Sequence, residues 1–156
     1  MPTPHNDHEQ PVDAIAMLKE DHQRVRDLFA QYAATDNGGT KLGLADQIFR
    51  KLEIHAQLEE NLLYPTVHEE TDAGPALVKE SLAAHQTMKQ LIQELRGMAY
   101  DTEAFDTKFH ALILTVEHHV EEEEAEMFLL AEQELTADLN DMKDEMQELK
   151  AELQGL

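Results

Sequence analysis

The sequence predicts an all-α fold: an up-down-up-down four-helix bundle with an additional C-terminal helix. Two observations lead there. Gly and Pro fall in a few clusters and leave pieces of roughly 25 to 30 residues between them. Each piece carries one apolar stripe at steps of three and four, while Leu, Ala, Glu, Gln, Lys and Met dominate. No segment keeps a period of two for long, so strands are not expected. The 156 residues suit one domain, and a hydrophobic fraction of 42% can supply its core.

Residues 1–11 read as a disordered polar lead, 12–134 as the bundle and 135–156 as an amphipathic C-terminal helix. The first helix aligns Ile15, Leu18, His22, Val25, Phe29 and Tyr32. A turn is expected over Asp36–Thr40. The second stripe holds Leu44, Ile48, Leu52, His55, Glu59 and Leu62. Pro65 is expected to kink or end that helix, with Thr66–Glu70 a loose extension. A second turn falls at Thr71–Pro75. The third stripe runs through Val78, Leu82, His85, Met88, Ile92 and Leu95, and a third turn spans Gly97 to Thr102. The fourth stripe is Phe105, Phe109, Leu112, Val116, His119, Glu123, Met127 and Leu130. Thr136 can cap a fifth helix. Leu135, Leu139, Met142, Met146, Leu149 and Leu153 then repeat as a short heptad seam. That seam fits either packing along the bundle, leaving a monomer, or a homodimer contact.

Composition narrows the function classes. Asp and Glu number 33 against 12 Lys and Arg, for a net charge of −21. A nucleic-acid or anionic-membrane partner would need a basic surface, so neither is expected. With no Cys, thiolate ligands, disulfides and thiol catalysis are excluded. The opening residues show no signal-peptide pattern, and the apolar runs are too short to span a bilayer, so a cytoplasmic protein is expected.

Polar residues interrupt the core stripes. Each of the four main stripes carries a His, and two carry a Glu four residues later: His55 with Glu59, and His119 with Glu123. That spacing puts both side chains on one helix face. His22 and His55 each lie about 16 residues from the first turn, and His85 and His119 about 16 and 18 from Asp101. Such differences amount to about one helical turn or less. Six polar side chains therefore share one core layer. Buried carboxylates are normally paired or bound to metal. Two carboxylates on opposite helices suit bridging of two ions, with two His for each. An N/O ligand set suits iron, and less specifically zinc or manganese.

Leu18–His22, then His55-x-x-x-Glu59-Glu60 with Leu63-Tyr64-Pro65, then His85, then His119-x-x-x-Glu123-Glu124 with Phe128 resembles the hemerythrin-like, or HHE cation-binding, family. The resemblance covers about residues 12 to 131. It implies a four-helix bundle around a non-haem di-iron centre, two Fe ions with a bridging oxo or hydroxo group. It further implies His22, His55, His85 and His119 as terminal ligands and Glu59 and Glu123 as bridges. Oxygen-carrying hemerythrins have a further His on the third helix, where this chain has Ser81 and Lys89 as flanking residues. These hemerythrins also bridge with an Asp five residues after the fourth-helix His, where this chain has Glu124 and the expected bridge is Glu123; both departures count against reversible oxygen carriage. Tyr64 is a candidate extra ligand, yet it lies nine residues after His55, on the far side of an ideal helix.

Two functions are consistent with these residues. One is reaction with O2 or hydrogen peroxide, catalase-like or peroxide-scavenging. The other is a non-enzymatic module that binds, senses or stores O2, nitric oxide or iron. In a third reading, the buried His and Glu merely pair with one another. Glu60 and Glu122 are candidates to orient imidazoles from outside the layer, and Lys89 to place a positive charge near it. His5, His8, His68, His110 and His118 read as surface residues.

Overall fold

The computed structural model describes residues 11–155, and among them every regular element is helical. The predicted lead at 1–11 lies outside the described residues apart from Pro11. Helix α1 runs Ala14–Ala34 and α2 Gly38–Leu58. A π-helical turn, Glu59–Leu63, joins α2 without a break to α3, Tyr64–Glu70. Helix α4 covers Gly74–Arg96 and α5 Glu103–Glu122. A second π turn, Glu123–Met127, leads into α6, Phe128–Glu134, and α7 spans Thr136–Gln154. The four rods of the bundle are thus α1, α2 with α3, α4, and α5 with α6. Helix α1 packs on α2, and α4 on α5.

Side chains fix three of the starts. Asp13 Oδ1 accepts from the Ala16 N–H at 2.9 Å, Asn37 Oδ1 from Thr40 at 2.9 Å, and Thr102 Oγ1 from Phe105 at 3.1 Å. Each satisfies an amide that the first helical turn leaves unpaired. The expected first and second turns are shorter than the sequence suggests. Gly38, Gly39 and Thr40 already belong to α2, and Gly74 and Pro75 open α4. Pro near a helix start costs no hydrogen bond. At Gly74 a side chain would collide with the chain before it, because an added Cβ would lie 1.9 Å from the Val67 carbonyl oxygen.

Pro65 does not end the second rod, and Thr66–Glu70 is regular helix rather than a loose extension. Proline is tolerated here at the start of a helical segment. Three stripe positions also differ. Leu62 and Leu130 are only half-buried, and Leu63, Phe128 and Ala131 take the core places instead. The cause is the π turn at each place, which adds a residue and rotates the rest of the rod by about 100°. Leu82 is 42% exposed, whereas its neighbour Ser81 is buried. Thr136 makes no N-cap: its hydroxyl donates to the Glu132 carbonyl.

The core falls into two apolar clusters. One gathers Phe29, Tyr32, Phe49, Phe105 and Phe109 with the aliphatic residues of the middle helices. The other contains Ile15, Leu18, Leu58, Leu63, Tyr64, Phe128, Leu139, Met142 and Met146. Along every rod the predicted polar layer lies between the two. Helix α7 lies against α1, α2 and α6 and buries Leu139, Met142 and Met146. Most of its seam is therefore covered by the bundle of the same chain.

Candidate metal centre

The six predicted residues come together in one layer. Helices α1, α2, α4 and α5 supply His22, His55, His85 and His119, and Glu59 and Glu123 are the first residues of the two π turns. Five are buried and His119 is nearly so. They form two groups of four that share both carboxylates: His22, His55, Glu59 and Glu123, and Glu59, His85, His119 and Glu123. Within each group one ligand atom from every residue lies within 4.8 Å of the others. The inward Nε2 atoms of His22 and His55 approach Glu123 and Glu59 at 3.4 and 3.5 Å. Those of His85 and His119 approach Glu59 and Glu123 at 3.1 and 3.5 Å.

The outward nitrogens have their own partners. His22 Nδ1 lies 2.7 Å from Glu124, His85 Nδ1 2.7 Å from Glu60, and His55 Nδ1 3.1 Å from Asp21. A carboxylate at Nδ1 keeps that nitrogen protonated and turns the Nε2 lone pair inward, the tautomer a metal needs. Lys89 donates to Glu60 at 2.9 Å, and Lys150 of α7 donates to Asp21 at 2.7 Å. Among the expected outer residues, Glu60 holds His85, whereas Glu122 pairs with the exposed His118. Lys89 faces Glu60 rather than a member of the six. His68 and His110 are exposed, and His5 and His8 lie outside the described residues.

Tyr64 reaches the layer through the π turn at Glu59–Leu63, a distortion of the rod just before Pro65. The Tyr64 N–H bonds to the Glu59 carbonyl five residues back, as Phe128 bonds to Glu123. The added residue turns Tyr64 inward until it is 2% exposed. Its hydroxyl donates to Glu123 Oε2 at 2.6 Å, with Glu59 Oε1 and His85 Nε2 at 3.1 and 3.2 Å from the same oxygen. On the other side Phe128 stacks flat on His22, with ring centroids 5.5 Å apart.

Sequence reasoning gave Asp21 and Lys150 no role, and weighed Glu124 only as a bridge, not as the partner of His22. A local signal existed for two of the outer acids: each Glu on a stripe is followed by a second Glu. In both pairs the first enters the layer and the second takes a His of another helix.

Electrostatics follow from burial and pairing. Burial alone would raise the Glu59 carboxyl, but His55 and His85 hold it well below the carboxylate range. Burial disfavours a charged His55, yet Glu59 and Asp21 raise its pKa well above the usual value. His119 is raised against burial by Glu123. Burial would raise Asp21 too, and His55 with Lys150 bring it down to about 2. Tyr64 is pushed well up by burial and by the negative charge of Glu59 and Glu123.

The pairing is incomplete in one telling respect. Glu59 Oε2, Glu123 Oε1 and His119 Nε2 are buried without a hydrogen-bond partner. All three belong to the two shared groups. Buried polar atoms without partners are rare in native proteins, and two cations between these residues would satisfy them. The ligand set contains only imidazole and carboxylate, which suits iron, zinc or manganese.

A helical bundle that gathers His and Glu into two carboxylate-sharing groups defines a cation-binding bundle protein. The chain belongs to the hemerythrin HHE cation-binding domain family, which it matches over residues 13–131. Helix α7 lies beyond that match. A hemerythrin HHE cation-binding domain-containing protein from Mycobacterium kansasii shares the fold, at a TM-score of 0.81 and 22% identity, over 92% of this chain and 88% of that one. A protein named DNA nickase from Nostoc sp. is 25% identical over 122 residues, 78% of this chain. The match spans 34% of that relative's length. None of the helices is long and apolar enough to cross a membrane among the described residues.

Proposed function

We propose that the layer holds two iron ions joined by an oxide or hydroxide and reacts with hydrogen peroxide or O2 in a catalase-like manner. His22 and His55 would hold one ion, His85 and His119 the other, with Glu59 and Glu123 between them. The observation that carries this reading is the pair of four-residue groups sharing both glutamates. An iron pair supplies two-electron exchange, so that two H2O2 become one O2 and two H2O.

The chain's own residues set the conditions. A cavity of about 30 Å³ adjoins all four histidines and is walled by Val25, Leu52, Met88 and Val116. That volume holds a molecule the size of water or peroxide. Tyr64 holds a proton at its hydroxyl beside Glu123, within reach of a group taking up or releasing charge. Ser81, one turn before His85, supplies no nitrogen ligand and leaves the His85 side more open.

The deciding experiment joins metal analysis to turnover. Protein from iron-supplemented cells should carry about two irons per chain, show near-ultraviolet ferric bands, and release O2 from peroxide. One metal or none, or loaded protein that leaves peroxide untouched, overturns the reading. A second reading, a non-enzymatic module for O2, nitric oxide or iron, is favoured by one contact. Helix α7, outside the family match, touches the layer's surroundings through Lys150 and Asp21. Two bound irons with no peroxide turnover would favour it. The nicking suggested by the Nostoc relative's name is not carried over, because a net charge of −21 repels DNA phosphates.

A further inference from the structure

We propose that α7 is a clasp on the metal centre: Lys150 positions Asp21, and through it the His55 imidazole, so that helix docking and metal binding at the His22–His55 position reinforce each other. The inference rests on the reading of the layer as a metal pair. Helix α7 is strongly acidic, with Asp138, Asp141, Asp144, Glu145, Glu148 and Glu152 against two lysines, Lys143 and Lys150. Lys150 lies on the face toward the bundle, half-buried, with Nζ 2.7 Å from Asp21 Oδ1. The other oxygen of the same carboxylate lies 3.1 Å from His55 Nδ1. One short chain of polar contacts thus joins a helix outside the family match to a candidate ligand.

The contact is specific to one half of the layer. His22 and His85 are held by Glu124 and Glu60, which lie within the bundle rods. His55 alone is oriented by an acid that α7 also grips. Outer carboxylates fix the ring plane and tautomer of a ligating imidazole. A displaced α7 leaves Asp21 without its lysine, with the exposed Arg24 at 3.7 Å the remaining cation on Oδ1, and so less firmly aimed at His55. Coupling of this kind is reciprocal, so metal at this position must strengthen the docking of α7 by the same factor. The helix has a second polar tether remote from the six residues: Arg50 donates to the carbonyls of Leu153 and Gln154 at 3.5 and 3.2 Å. That tether provides the control.

The test uses the full chain loaded with zinc, and follows metal release to a chelator together with amide hydrogen exchange of α7. Removing an outer partner directly costs roughly 10- to 100-fold in metal affinity. Asp21→Asn is expected to weaken one of the two metals toward that range, and Lys150→Met, one step removed, to speed its release by about 3- to 10-fold. The other metal should leave at the wild-type rate. Lys150→Arg should restore wild-type release, and Arg50→Met, which loosens the docking but leaves the Lys150–Asp21 contact in place, should speed release less than Lys150→Met. Exchange in α7 should be slower with metal than without in the wild type, and the difference should vanish in Lys150→Met. Asp21→Asn keeps the apolar docking of α7, so it tests the relay even if Lys150→Met folds poorly. Equal release of both metals from every variant, or α7 exchange indifferent to metal, overturns the clasp while leaving the metal pair intact. A wild-type chain that binds no pair of metals overturns both readings.

Discussion

Removing metal from the loaded protein should destabilise it by an amount that the layer itself sets. Without metal, Glu59 Oε2, Glu123 Oε1 and His119 Nε2 are buried and unpartnered. Each such atom costs about 1–3 kcal/mol, and because His22 and His119 stand 3.4 and 3.5 Å from Glu123 the total lies toward the lower end of about 3–9 kcal/mol. Linkage gives an independent figure: one site, at free metal a thousandfold above its dissociation constant, contributes about 4 kcal/mol, the minimum for a pair. The two ranges meet near the lower end. At about 2–4 °C per kcal/mol for a chain of this size, reloading should raise the melting temperature by about 8–16 °C. The assay is scanning calorimetry of chelated and reloaded protein at one metal concentration. A double variant, Glu59→Gln with Glu123→Gln, should lose the metal-dependent rise. Reloaded wild type melting within about 2–4 °C of the chelated form, less than 1 kcal/mol, would refute the assignment of those three atoms to metal.

Three other expectations concern the fold and its charges. In the metal-free protein, Glu59 is held low, so its contribution is present above about pH 4.5 and lost as pH falls below that. His55 and His119 are raised, so theirs is complete below about pH 6.5 and lost as pH rises through the raised values. Metal-free stability should therefore peak between these limits, while the gain from metal should grow with pH, because protons compete for the imidazoles; melts from pH 4 to 9 in which the gain shrinks with pH would contradict this. Gly74→Ala should cost about 1–3 kcal/mol by overpacking, since the new Cβ meets the Val67 carbonyl and the Thr71 hydroxyl. A variant melting at or above wild type would show that the corner between α3 and α4 is not tightly packed. Phe109→Ala, which empties the middle of the aromatic cluster, should cost about 3–5 kcal/mol in urea unfolding. The folded fraction should still bind two metals, and loss of metal there would mean that the cluster supports the layer directly.

The helices and the polar layer were legible because both are local. A His or Glu inside an apolar stripe is a mismatch that periodicity exposes, and the four stripes repeat it. What the stripes could not reveal lies just past each glutamate. A π turn is a change in backbone hydrogen bonding, from four residues back to five, and no residue type demands it. Yet its trace is present: Leu63-Tyr64 and Met127-Phe128 are bulky apolar pairs, all four buried, where strict α periodicity expects Leu62 and Leu130. Asp21 and Lys150 were illegible for another reason. Their partners lie on other helices, and a charged residue on an acidic chain carries no local sign of whom it faces. The heptad seam of α7 was readable, but its partner was not, because the same apolar face serves a bundle or a second copy equally well.

The layer's two sides differ, and that difference bears on its chemistry. Glu59, Glu123 and Tyr64 close it against the cluster that contains Leu58, Leu63 and Phe128. On the opposite side the histidines border a small cavity walled by Val25, Leu52, Met88 and Val116, with no carboxylate of the pair in its lining. A small ligand entering that cavity meets the imidazoles, apolar walls, Asp21 and Thr115, while Glu59, Glu123 and Tyr64 are not in its lining. The two ends are unequal as well. Tyr64 stands beside His85, whereas the corresponding Phe128 stacks on His22 and offers no oxygen. Asp21 backs His55, and the corresponding residue before His85 is Ala84. A nearly repeated scaffold thus carries two different ends, one with a proton-bearing phenol within reach and the other with a carboxylate gripped by α7. That inequality is what the layer would need for two bound metals to have different tasks.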